Sequence, residues 1–229
     1  MPHGAAQLDH LVVMATTLAQ GVAWCEVTLG VSPGPGGEHP LMGTHNRLLW
    51  IASEHFPDAY LEIIAINSEA DEAQRMPRRR WFDMDNQALQ ARIAQGGPQL
   101  THFVVRVPHI TRAVQALSAQ GIDRGHAIIA SRMTAGGLLQ WQISVRDDGQ
   151  RLFDGCLPTL IEWGDVHPTH NMAPSGVHLQ ALHISHPEAS ALQAAYLSLG
   201  FAPTRIEAAP ARISAILQTP LGIVTLHSS

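Results

Sequence analysis

Residues 7–13 read QLDHLVV and residues 99–105 read QLTHFVV. Five of the seven positions are identical, and the polar residue kept inside each apolar run is a histidine, His10 and His102. Such runs of β-branched and aliphatic residues are strand patterns. Each is followed by a helical pattern that stops at a glycine, and a third copy begins at HLQALHIS. The leucine opening each strand (Leu8, Leu100, Leu179) precedes its helix-ending glycine (Gly30, Gly121, Gly200) by 22, 21 and 21 residues. Spacing held three times marks an internal repeat. Short apolar runs separated by turn residues follow each glycine, so the unit is β-α-β-β-β, expected three times. The fold class is α+β, with βαβββ modules forming curved mixed sheets around a cup. Residues 1–73 form the first module, 74–97 a polar linker, 98–166 the second module, and 176–229 a shorter third. In the strand pattern Leu8, His10 and Val12 share one face, while Asp9, Leu11 and Val13 share the other.

Composition removes several functional classes. No run approaches the roughly 18 apolar residues of a membrane span. The start MPHGAAQ passes straight into a strand without a signal-like segment, so a cytoplasmic protein is expected. Net charge is −5, and the only basic cluster is Arg78–Arg80, which argues against nucleic acid as partner. All 14 cationic side chains are arginine. Without lysine there is neither a Walker A phosphate loop nor Schiff-base chemistry. Cys25 and Cys156 have no metal or redox spacing and are too few for a disulfide scaffold.

Two further polar residues recur at module ends. Glu62 lies in YLEII and Glu162 in LIEWG, 52 and 60 residues after the histidine of the same module. A carboxylate among apolar neighbours costs several kcal/mol unless it is paired or coordinated. Two imidazoles and two carboxylates suit a divalent cation such as Zn, Ni, Mn, Co or Fe. In the third module the equivalent positions hold Ala181 and Thr225, so the module pattern does not require these ligands. The plainer readings are hydrogen-bonded strand histidines and glutamates paired with Arg47 or Arg106.

Other candidates are weaker. Thr44, His45 and Asn46 in MGTHNR offer donors at a cavity mouth, or simply cap a strand. Arg79 and Trp81 in RRRWFDMD offer a hold for an anion or an aromatic ring. A solvated linker with an aromatic anchor is the preferred reading there.

At LDHLVV, GTHNRLL, AYLEIIAI and RRWFDMD the chain resembles the vicinal oxygen chelate superfamily, and within it the glyoxalase-like branch. The resemblance spans almost the whole chain. It implies paired βαβββ modules around a metal held by His10, Glu62, His102 and Glu162. Glu62 or Glu162 would act as the base, and the resemblance does not choose between them. The implied activity is proton transfer, isomerisation or lyase chemistry on a small molecule with vicinal oxygens. The alternatives are a metal-free protein that binds or sequesters a small molecule, and an Fe(II) extradiol-type dioxygenase. The third module is expected to pad the cup's edge or to pair with its twin in a homodimer, the latter preferred.

Overall fold

In the computed structural model, residues 6–134, 137–201 and 206–228 are described. The first unit runs β1 (Gln7–Met14), α1 (Leu18–Leu29), β2 (Glu38–His39), β3 (Thr44–Trp50) and β4 (Tyr60–Ile66). Helix α1 begins where Thr17, in extended backbone, accepts a hydrogen bond from the Gln20 amide on its side chain. It ends at Gly30, whose φ of 75° is a left-handed conformation that glycine adopts at little cost. Helix α2 (Gln87–Gly96) precedes the second unit, which runs β5 (Gln99–Arg106), α3 (Ile110–Ser118), β6 (His126–Thr134), β7 (Gly137–Val145) and β8 (Thr159–Trp163).

These strands form one eight-stranded sheet in the order β2-β3-β4-β1-β5-β8-β7-β6. In each unit the first strand lies parallel to the last, β1 with β4 and β5 with β8. The antiparallel pair β1–β5 joins the two halves. The order within one half is therefore the mirror of the other. Leu11, Val13, Leu61, Ile63, Phe103 and Leu160 face the helices on the back of the sheet. Val12, Met14, Ile64, Val104, Trp141, Ile143 and Ile161 face the opposite way. The sheet curls strongly enough that the edge strands approach each other: Glu38 and His39 share a hollow with Ile128 and Ala130. That curl makes the cup.

The stretch expected as linker is partly ordered structure. Asn86 caps α2 by accepting from the Leu89 amide, and Leu89 and Ile93, one turn apart, are buried. Trp81, Phe82, Met84, Leu89 and Ile93 pack into the cup against Val12, Met14 and Ile64. Phe82 and Asp83 both have φ near 58°, a strained conformation for residues with a side chain. Asp83 is held there by Arg151, whose Nε donates at 3.0 Å.

The third unit is β9 (His178–Ser185), α4 (Ala189–Leu199), β10 (Arg212–Thr219) and β11 (Gly222–His227), in a separate antiparallel sheet ordered β11-β10-β9. Of the apolar run FAPTRIEA that follows Gly200, residues 202–205 lie outside the described residues, and Glu207 forms an isolated parallel bridge with Ser185. This unit does not line the cup. It packs on the back of the large sheet, α4 against α3 and β10 and β11 against β5. Leu179, Leu192, Tyr196 and Leu217 join the core of Leu11, Ile63 and Phe103. Among the described residues no helix is long and apolar enough to cross a membrane.

Candidate active site

The cup's polar centre starts from an irregularity in β1. Leu8 pairs with Val105 and His10 with Val104, so Asp9 is the extra residue of a β-bulge. The bulge overrides simple alternation and brings Asp9 beside His10, Oδ1 to Nδ1 at 2.6 Å. Asp9 Oδ2 also accepts from Trp163 Nε1 at 2.8 Å and meets His167 Nε2 at 3.0 Å. The Thr169 amide points at His167 Nδ1, which must accept, so the His167 proton lies on Nε2 and is donated to Asp9. Asp9 is 1% exposed. Burial alone would raise its pKa, but the hydrogen bonds from His10 and His167 outweigh burial and hold it well below the usual carboxylate range. An ionised Asp9 fixes the His10 proton on Nδ1 and turns Nε2 towards the cup.

A second chain of hydrogen bonds fixes Glu62. In β4, Tyr60, Glu62 and Ile64 share the cup face, and Tyr60 stacks on His10 with ring centroids 4.6 Å apart. In β3, alternation puts Thr44, Asn46 and Leu48 on that face. The Gly37 amide donates to Asn46 Oδ1 at 2.8 Å, which leaves Asn46 Nδ2 to donate to Glu62 Oε1 at 2.6 Å. His39 Nε2 lies 3.4 Å from the same Nδ2, and His39 Nδ1 meets Thr44 Oγ1 at 3.0 Å. His39 is therefore neutral. Burial, then the nearby charges of Arg132 and His10, push its pKa down to about 3. Glu62 Oε2 remains, facing His10 Nε2 at 3.6 Å. Two groups whose other atoms are already engaged thus converge on one point.

The remaining sequence candidates are dispersed. His102 lies on β5, but both ring nitrogens are taken: Nδ1 by the Gly155 carbonyl at 2.9 Å, Nε2 by the Thr159 amide at 3.2 Å and Thr159 Oγ1 at 3.0 Å. Burial and the charges of Arg124 and Arg151 drive its pKa well below the ordinary value. It ties β5 to the start of β8. Glu162 points to the opposite face of the sheet, where Oε2 accepts from the Ile110 amide at 2.7 Å at the start of α3. The position matching Glu62 by register is Thr159, because Val12 pairs with Glu62 as Val104 pairs with Thr159. Three is an odd offset from Thr159 to Glu162, so the side chain changes face. Thr44 and Asn46 serve the Glu62 chain, whereas His45 alternates away from the cup. Trp81 lines the cup and Arg79 is exposed. The four-ligand centre implied by the resemblance does not fit these residues. Among the described residues no three His, Cys, Asp or Glu side chains are placed to hold a metal.

The converging pair lines a partly open cavity. Its walls are Trp81, Phe82, Leu139, Trp141, Ile143 and Trp163. Leu48, Arg132, Leu139 and Pro168 also border a wider groove beneath Trp50 and residues 171–175. Sequence reasoning missed Asp9, His39, Tyr60, Arg132 and His167. The Asp9-His10 dipeptide was visible, but the bulge that aligns the two was not.

The glyoxalase-like domain family matches residues 8–200. The chain belongs to that family. The structure of this glyoxalase-like protein is similar to that of a hypothetical protein from Staphylococcus aureus, with TM-score 0.58 and 14% identity over 98% of this chain and 86% of that one. At that identity the likeness speaks for the fold. Methylmalonyl-CoA epimerases, members of the vicinal oxygen chelate superfamily, are more distant. One from Streptomyces coelicolor, bound to 2-nitronate-propionyl-CoA, has TM-score 0.42 and 13% identity, over 72% of this chain and 99% of that one. One from Mycobacterium tuberculosis has TM-score 0.39 and 14% identity, over 69% and 86%. No curated protein matches the chain.

Proposed function

We propose that this glyoxalase-like protein is an enzyme that moves a proton at a carbon next to a carbonyl, in a small molecule with neighbouring oxygens. His10 and Glu62 are the acid–base pair. The observation that carries the reading is the approach of His10 Nε2 and Glu62 Oε2 to 3.6 Å, each backed by its own hydrogen-bonded support, in a largely apolar cup. One member accepts the proton from carbon and the pair returns it to the same or the neighbouring carbon, an isomerase-type reaction. Asp9 and Asn46 are positioning residues: Asp9 selects the His10 tautomer, and Asn46 aims the Glu62 carboxylate. The extradiol reading needs a second histidine ligand, and His102 has no ring nitrogen to offer. A sequestering protein would have no need of so closely specified a pair.

The test is exchange of the α-proton in D2O, followed by NMR over a panel of small 2-hydroxy and 2-oxo compounds. Exchange above the buffer rate with at least one member is expected, falling by about 10²–10⁴-fold in His10→Gln, the usual worth of a general base. No exchange with any member, or exchange undiminished in the variant, would count against the reading.

A further inference from the structure

Two side chains on the wall of the cup carry N–H donors that meet no acceptor among the described residues. Arg132 Nε and Nη1 and Trp81 Nε1 are shielded from solvent and meet no hydrogen-bond acceptor among the described residues. Both side chains line the cavity with His10 and Glu62. Arg132 is half-buried, but two of its three guanidinium nitrogens have neither solvent nor an acceptor, which is costly, and a protein that keeps them so has a use for them. Backbone geometry makes room for the side chain. Arg132 leaves edge strand β6 and lies across Gly37, where a Cβ would stand 2.2 Å from Nη1 and 2.8 Å from Cζ. Neither carboxylate of the cup pairs with it: Asp9 serves three other donors, and Glu62 accepts from Asn46 on Oε1 and turns Oε2 to His10.

We infer that Arg132 and Trp81 form the receptor for an anionic oxygen of the substrate, and that the substrate is a small carboxylic acid bearing a second oxygen on the adjacent carbon. The substrate class deepens the proton-transfer reading and relies on it for the roles of His10 and Glu62; the anion receptor stands apart from it. One bare guanidinium matches the single charge of a carboxylate, to which its geometry is suited. The walls of Trp81, Trp141 and Trp163 leave an apolar space for the rest of a small molecule. The chemistry is consistent with that placement. As the pair takes the proton from the carbon next to the carboxylate, the electrons of the C–H bond pass to the carboxyl oxygens. The resulting enediolate carries more negative charge than the acid, and Arg132 and the Trp81 N–H stand ready to hold it. Returning the proton to carbon restores the acid, so no oxidant or further reactant is required. Arg132 also borders the wider groove, where an incoming anion would meet it first.

The experiment compares each acid with its neutral twin: lactate with lactamide, and mandelate with mandelamide. Binding is followed by tryptophan fluorescence, since three tryptophans line the cup, and by the unfolding midpoint. At least one acid is expected to bind roughly tenfold or more tightly than its amide, the worth of a charge-assisted hydrogen bond. Arg132→Gln should erase that difference, the acid losing more than the amide, and Arg132→Lys should retain part of it. Trp81→Phe, which keeps the ring and loses only the N–H, should weaken the acid by a smaller factor. Glu62→Gln should still bind the acid even where exchange is lost, so failure of the receptor and failure of the proton-transfer pair are read separately. If neither acid binds, if acid and amide bind alike, or if Arg132→Gln binds the acid as wild type does, the inference is overturned.

Discussion

Replacing Asp9 with asparagine tests how the cup is held together. In the wild-type protein Oδ1 takes the His10 proton, and Oδ2 takes protons from Trp163 and His167. An asparagine can keep its oxygen towards Trp163 and His167, but its NH2 group then faces His10 Nδ1. His10 can satisfy that donor only by shifting its own proton to Nε2. Hydrogen bonds to a charged acceptor are worth about 1.5–3 kcal/mol and neutral ones about 0.5–1.5, so three downgraded bonds offset by relief of a buried charge give about 2–4 kcal/mol. For a chain of this length that lowers the unfolding midpoint by about 4–16 °C. The acid limb changes too. Asp9 has its pKa depressed in the fold, so its contribution is complete above the unfolded value near 4 and is lost as pH falls below it; the asparagine variant lacks that loss. Two assays follow: urea unfolding at neutral and acid pH, and ¹⁵N NMR of the His10 tautomer. A variant that unfolds within about 0.5 kcal/mol of wild type, or that keeps the proton on Nδ1, would refute this reasoning.

Glu162→Ala should cost about 1 kcal/mol through loss of the α3 cap, lowering the unfolding midpoint by about 2–4 °C, and any midpoint shift caused by Zn²⁺, Ni²⁺ or Mn²⁺ should be the same in variant and wild type. His39 and His102 stay neutral in the fold while their unfolded forms take up a proton near pH 6.5. Stability should therefore fall as pH drops from about 6.5, with a slope of up to about 1.4 kcal/mol per pH unit for each group, and His39→Gln should remove one such contribution in urea titrations between pH 6.5 and 4.5. Histidine ¹⁵N shifts should show both rings uncharged at pH 5; a charged ring at either position would contradict the hydrogen-bond assignments.

Much of the architecture was legible because it is periodic. The strand repeats pointed to an α+β fold with a curled mixed sheet, and the alternation in YLEII placed Glu62 on the cup face. The site was less legible because it depends on register, which local pattern does not carry. Glu162 resembles Glu62 by its letters, yet it stands three residues past the equivalent position and therefore faces α3. His102 matches His10 in its strand, but Thr159 and Gly155 occupy its ring. Asp9 was assigned to the back of the sheet because alternation cannot foresee a bulge. Residues 74–97 read as a polar, solvated linker with an aromatic anchor, but the apolar set Trp81, Phe82, Met84, Leu89 and Ile93 enters the cup. Arg132 could not be ranked from sequence, because its neighbour Gly37 comes from the other end of the sheet and meets it only when the sheet curls.

The central claim is that one module's glutamate does the proton chemistry and the other caps a helix. It is tested by the rate of α-proton exchange in Glu62→Gln beside Glu162→Ala, with both variants checked for folding. The account predicts a loss of about 10²–10⁴-fold for the first and a rate within about twofold of wild type for the second. Equal losses at the two positions, or retention at Glu62 with loss at Glu162, would contradict it.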